Sequence, residues 1–270
     1  MPKHRRILNL SIISFFHYIK LCCRSLLFLT ATIIYIVVRI KSNSDIFSSS
    51  TRYTPFYALI WLVFTVEMMS RFFPSKLESM GCEKQFAENY IPKEGGSIEV
   101  IKRNSWKTTL AVAASWICLN SIIGLLYYLN VIDTGVLILI SLAYSVCDMI
   151  CILFFCPFQT WIMKNKCCGS CRIYNWDYAM MFTPLIFVKD IFAWSLLGIS
   201  LALLIKWELV FHLHTERFSE ATNQSLTCAC CEEKLCHHKK QLRGFLIKRA
   251  NVLSKDTLHH VKTLHNQSTT

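Results

Sequence analysis

Charge is scarce in this chain. Only 17% of its 270 residues are Asp, Glu, Lys or Arg, whereas 53% are apolar and the mean hydropathy is +0.38. A soluble domain usually carries about a quarter charged residues, so the shortage excludes most soluble readings. The familiar catalytic signatures are missing too. There is no Gly-rich phosphate loop, no Gly-x-Ser-x-Gly and no His-Glu-x-x-His, which removes the easily recognised signals of nucleotide binding, serine hydrolysis and zinc proteolysis. No internal repeat is visible. No small-residue cleavage site follows the first apolar stretch, so the amino end reads as a signal anchor rather than a cleaved leader. A basic soluble module of recognisable fold is also lacking, so the net charge of +12 does not point to nucleic acid.

What is present is a series of long apolar runs. Together they predict an all-α integral membrane protein of about five transmembrane helices, with an amphipathic N-terminal helix and a polar Cys/His-bearing C-terminal tail. Residues 1–24 form a basic, interfacial segment that includes His17, Lys20 and Arg24. Residues 25–73 hold the first two spans. Ser25–Val38 is shorter than the ~20 residues a spanning helix needs, so Arg24 and Arg39 are expected to snorkel and extend it. Pro55 opens the second span and Pro74 closes it, because a first-turn proline lacks only an amide that would have no helical partner. A polar loop covers 74–106. The spans within 107–157 are separated only by Asn130–Thr134 and must form a tight hairpin. A Cys-rich elbow covers 158–178, a fifth span 179–207, and a basic Cys/His tail 208–270. Lys189, Asp190 and Pro184 interrupt the fifth run, and sequence alone leaves open whether it crosses once or breaks.

Orientation follows from cations. The amino terminus contributes Lys3, Arg5, Arg6, Lys20 and Arg24, the 74–107 loop Lys76, Lys84, Lys93, Lys102, Arg103 and Lys107, and the elbow Lys164, Lys166 and Arg172. The opposite side has Arg39, Lys41, Arg52, Lys206 and Arg217 if the fifth run crosses once. The positive-inside rule then places the N-terminus in the cytoplasm. Eight further cations in the distal tail fall on the disfavoured side of that count, which is a conflict the single crossing creates.

Cysteine is abundant, with fourteen in the chain. One polar cluster is Cys167-Cys168-Gly169-Ser170-Cys171; the other holds Cys228, Cys230, Cys231 and Cys236, followed by His237 and His238. Each contains a Cys-x2-Cys pair, and two such pairs can supply four thiolates to zinc or to an iron–sulfur centre. The expected metal ligands are Cys168, Cys171, Cys228, Cys231 and Cys236, with zinc the expected cofactor and an iron–sulfur centre less favoured. A joint site requires both clusters on one membrane face, hence an even number of crossings between them. Cys156-Pro157 lies eleven residues ahead of the first cluster and matches part of a ferredoxin-type pattern, or simply caps an apolar helix. Cys147 and Cys151 share a helix face at i and i+4, where cysteine also serves as a small apolar filler.

Ionisable residues inside spans form the second constellation: Glu67, Arg71, Asp148, Lys189 and Asp190. Such groups face a bundle interior, a partner or a watery path. Glu67 and Arg71 are spaced to pair on one helix face. Asp148 has no cation near it in sequence, and Asn120 or Ser145 are its candidate hydrogen-bond partners. The elbow Arg172–Asp177 is read as a headgroup contact or as an interfacial anchor with an Asp helix cap.

Three functions fit these features. The first is an accessory or scaffold-like membrane protein with a structural Cys-ligated zinc site. The second is a membrane thiol oxidoreductase or iron–sulfur electron carrier. The third is a small cation- or proton-coupled transporter using Asp148 and Asp190. Expected partners are the bilayer, anionic lipid at the basic tail, and a protein partner or a second copy, with no nucleic acid.

Overall fold

A computed structural model describes residues 12–42, 54–74, 80–93, 98–165, 171–230 and 239–240. Seven α-helices order these segments: α1 (Ile12–Ser42), α2 (Thr54–Ser70), α3 (Met80–Gln85), α4 (Ile98–Tyr128), α5 (Thr134–Leu153), α6 (Asp177–Phe182) and α7 (Ile191–Leu213). Among the described residues there is no strand, only an isolated bridge between Pro92 and Asn223. Four helical stretches are long and apolar enough to cross a membrane, namely Ser14–Ile40, Trp106–Tyr128, Thr134–Leu153 and Ile191–Leu213, and α2 is a shorter apolar helix. Their outward faces carry exposed aliphatic side chains such as Leu29, Ile33, Ile117, Leu125, Ile205 and Leu209, a surface compatible with insertion in a membrane.

The amino end differs from the two-part expectation. Instead of an interfacial helix followed by a short span, α1 runs unbroken for 31 residues, about 46 Å at 1.5 Å per residue. No Pro or Gly interrupts it, and an unbroken helix satisfies every internal backbone group within the bilayer. Elsewhere the caps expected from sequence form. Pro55 lies in the first turn of α2, and Asp133 accepts from the Val136 amide at 2.9 Å to start α5 after the tight turn. Asn130, at φ 55°, takes the left-handed position of that turn, which Asn tolerates better than most residues.

Contacts fix the helix directions. Tyr18 near the start of α1 meets Phe154 just past the end of α5, and Tyr35 near its end donates to Asp133 at 3.0 Å, so α1 and α5 are antiparallel. Trp61 and Lys206 tie α2 to α7 through Ser195 Oγ at 2.7 Å and the Phe72 carbonyl at 2.5 Å, so these two run parallel. The bundle therefore has a turn end, at residues 129–133, and an elbow end, where α1 begins and α2, α5 and α7 finish.

The apolar run Ala179–Ile205 is not one helix. α6 leads into a 3-10 segment, Thr183–Phe187, with Pro184 in its first positions; Val188 and Asp190 are extended. This short arm climbs from the elbow toward the turn end, where the Phe187 ring packs on Tyr127 and occupies the space a side chain at Gly124 would need. Asp190 then accepts from the Phe192 and Ala193 amides, at 2.9 and 3.2 Å, and α7 descends again. The arm and α7 thus lead up the bundle and back, so the elbow and residues 214–230 lie at the same end.

There the polar segments knit together. Asn175 donates to Gln85 Oε1 at 2.7 Å, Asn223 to the carbonyls of Lys84 and Arg217 at 3.0 and 2.9 Å, and Ser225 to the Asn89 carbonyl at 2.5 Å. Arg172 pairs with Glu208, to which Trp176 donates at 2.6 Å. Residues 215–230, in the part of the chain read as a polar tail, thus dock onto the 80–93 loop, with Asn223 fully buried.

Candidate functional site: a charged layer beside a thiol-lined cavity

The charged layer is built around Arg24. Helix α1 brings its guanidinium into the bundle, where the side chain is only 1% exposed. Nη2 meets Glu67 Oε2 of α2 at 2.6 Å, and Nη1 meets Asp148 Oδ2 of α5 at 3.0 Å. The same nitrogens donate to the Ser145 carbonyl at 3.1 Å and to the Tyr178 hydroxyl at 3.4 Å. Tyr178 in turn donates to Glu67 at 3.1 Å. Phe64 and Tyr178 present their rings to the cation at 5.4 and 5.8 Å. Just past the end of α2, Arg71 makes a two-pronged pair with Asp177 at 2.9 and 2.7 Å and lies 4.7 Å from the Tyr178 ring centre. Two guanidinium groups thus face three carboxylates from α2, α5 and α6.

This placement changes three expectations. Arg24 does not snorkel at a membrane boundary; it is the cation that Asp148 lacked in the local sequence. Glu67 lies in the last turn of α2 and Arg71 just past its end, and each is turned to a partner from another segment. Asn120 is not the partner of Asp148; its side-chain amide donates to the Trp116 carbonyl at 3.0 Å. Asp190 lies apart from the layer, as the cap of α7 toward the turn end.

Beside the layer, at the elbow end, lies a cavity of about 140 Å³. Its wall includes Cys147, Cys151, Cys156 and Cys171, the carboxylates Asp148 and Asp177, and the rings of Trp116, Tyr144 and Tyr174. The local chain explains the thiol geometry. α5 ends at Leu153, Pro157 prevents its continuation, and a π-turn at Phe158–Ile162 follows. The turn aims the Gln159 amide at Cys156 Sγ, 3.4 Å away. The Cys151 thiol is hydrogen-bonded to the same sulfur, and that bond, with the Gln159 amide and the Lys239 ammonium, holds the Cys156 thiol below its ordinary range. Lys239 is anchored there by donating to the Cys151 carbonyl at 2.8 Å. Hydrogen bonds to a sulfur and a nearby cation favour the thiolate form, which is the nucleophilic form of cysteine.

Of the expected metal ligands, Cys171 is buried against Val112 and Ile173, and Cys228 is exposed. Cys168, Cys231 and Cys236 lie outside the described residues, as do His237 and His238. Among the described residues, no three His, Cys, Asp or Glu side chains converge as a metal site. No family model matches the chain, and comparison with curated proteins and with solved structures found no match.

Proposed function

We propose that this chain is a multi-pass membrane protein that carries out thiol–disulfide exchange through Cys156 and Cys151. The observation that carries this reading is the placement of Cys151 and Cys156 in the wall of one apolar cavity, with the Gln159 amide directed at the Cys156 sulfur. The co-substrate is a low-molecular-weight disulfide, R–S–S–R. Cys156 attacks one sulfur, the S–S bond breaks, and the departing thiolate takes up a proton as RSH. Cys151 then attacks the Cys156 sulfur, expels the second RSH and closes a Cys151–Cys156 disulfide. Two electrons pass from the protein to the substrate, and both thiol protons end on the two RSH molecules. The reverse sequence oxidises a dithiol.

The fold favours one orientation for this chemistry. Among the described residues the turn end carries the cations Arg39 and Lys189. Lys84, Lys93, Arg172, Lys206, Arg217 and Lys239 belong to segments at the elbow end, an excess that favours a cytoplasmic elbow end under the positive-inside rule. A cytoplasmic pair rests as the dithiol and acts as a reductant.

The test is redox titration of the full chain in detergent against glutathione buffers, read by alkylation and peptide mass. A two-electron couple confined to Cys151 and Cys156 is expected, and Cys151→Ser should accumulate a mixed disulfide on Cys156. Because Cys156 is held below the ordinary thiol range, its alkylation should stay fast at pH 7 and slow only as acid protonates it. A pair that stays reduced throughout the titration, with Cys156 alkylating no faster than a solvent thiol, would sink the reading.

A second reading keeps the accessory protein with a structural zinc held by the elbow and tail cysteines. The even crossing supports it, because Cys171 and Cys228 belong to segments packed at one end. Elemental analysis decides: one equivalent of zinc lost on Cys168→Ser and on Cys228→Ser alike supports a joint site, and absence of bound metal rejects it.

A further inference from the structure

The bundle holds a second cavity, of about 220 Å³, on the far side of the charged layer from the thiols. It lies between α2, α5, α7 and the arm that joins α6 to α7. Four of its wall residues are aromatic: Tyr57, Trp61, Phe182 and Phe192. Only two others bear polar side chains, Ser141 and Asp190.

Ser141 is 3% exposed, and its hydroxyl has no hydrogen-bond partner among the described residues. Neighbouring serines behave differently. Ser145 and Ser200, equally buried, donate back to the carbonyls of Leu142 and Leu197 at 2.7 and 2.8 Å. A buried hydroxyl in the wall of a cavity, without the back-bond its neighbours make, is a group set to meet a ligand. Asp190 supplies the charge. Both of its cap bonds fall on Oδ2, so helix capping does not occupy Oδ1. One carboxylate, one hydroxyl and four aromatic rings in an otherwise aliphatic pocket match an apolar cation, since ring faces and a carboxylate both attract positive charge.

We infer that this cavity binds a small aromatic or aliphatic amine, its ammonium between Asp190 and the rings and one N–H donated to Ser141. The volume accommodates a phenyl group with a short arm, since a cavity of about 150 Å³ already holds benzene. The site is independent of the thiol pair, and its carboxylate, at the start of α7, lies toward the turn end.

The experiment is isothermal titration of the detergent-solubilised full chain with 2-phenylethylamine, and with propylbenzene as its uncharged counterpart. Saturable binding of the amine is expected, at least tenfold tighter than propylbenzene. Asp190→Asn keeps a capping side chain, because Asn serves as well as Asp at that position, and should weaken amine binding about tenfold; Ser141→Ala should weaken it a few-fold. Equal binding of the two probes, no binding of the amine, or full amine affinity in Asp190→Asn would each overturn the assignment. Should Asp190→Asn melt below wild type, the two-probe comparison on the unaltered protein decides alone.

Discussion

Arg24 and Arg39 lie fifteen residues apart on one helix, and both meet carboxylates of the α5 region. Arg24 is 1% exposed and held by two carboxylates, a carbonyl and a hydroxyl. Arg39 is 51% exposed and pairs with Asp133 at 3.3 Å. The same side chain thus serves as a buried junction at one place and a surface contact at the other. What separates them is the company: Arg24 is surrounded by groups from α2, α5 and α6, so two carboxylates meet its charge at a buried position. The lesson is that a charge in an apolar run is decided by distant segments.

The largest effect expected is from Arg24→Ala. Removing one partner of a buried pair leaves the others uncompensated, and the typical cost is about 3–5 kcal/mol; unfolding in detergent should show it as a large loss of stability. Adding Glu67→Gln and Asp148→Asn should restore part of that loss, and a triple variant no more stable than the single one would show that Arg24 acts through packing instead. Next in size come the single carboxylates. Glu67→Gln leaves Arg24 with Asp148, and Asp148→Asn leaves it with Glu67, so each should cost about 1–3 kcal/mol. Glu67 should cost more, because its bond is shorter and Tyr178 also donates to it. Smallest is Arg39→Ala, expected to shift stability by about 1 kcal/mol or less and to lose even that in high salt. An Arg39 effect matching that of Arg24 would erase the distinction between the two ends of α1.

Much of the fold was legible. Apolar runs located α2, α4, α5 and most of α7, while Pro55, Asp133 and the 130–134 turn marked boundaries by local chemistry. Local chemistry also misled, because Arg24 read as a boundary when helix continuity carries α1 through it. The break after α6 was visible only as Pro184 and Lys189-Asp190, and its outcome depends on Phe187 finding Gly124, a contact no periodicity encodes. The site was half legible. Cys147 and Cys151 share a face by spacing, and Asp148 was conspicuous, yet its partner is 124 residues away in sequence. The joining of Cys156 to Cys151 requires the stop at Pro157 and the turn that follows, and neither residue belongs to the Cys-x2-Cys pairs that drew attention first.

The separation between Arg24 and its partners has a consequence for synthesis. Glu67 follows Arg24 by 43 residues and Asp148 by 124. A ribosome adding about 5–20 residues per second delivers the second carboxylate roughly 6–25 s after the arginine. Until both have emerged the Arg24 charge is only partly paired, and an unpaired cation is costly in hydrocarbon. The layer around Arg24 is therefore complete only once α5, the third of the four long apolar helices, has emerged, and an order of assembly is written into the spacing of its ion pairs.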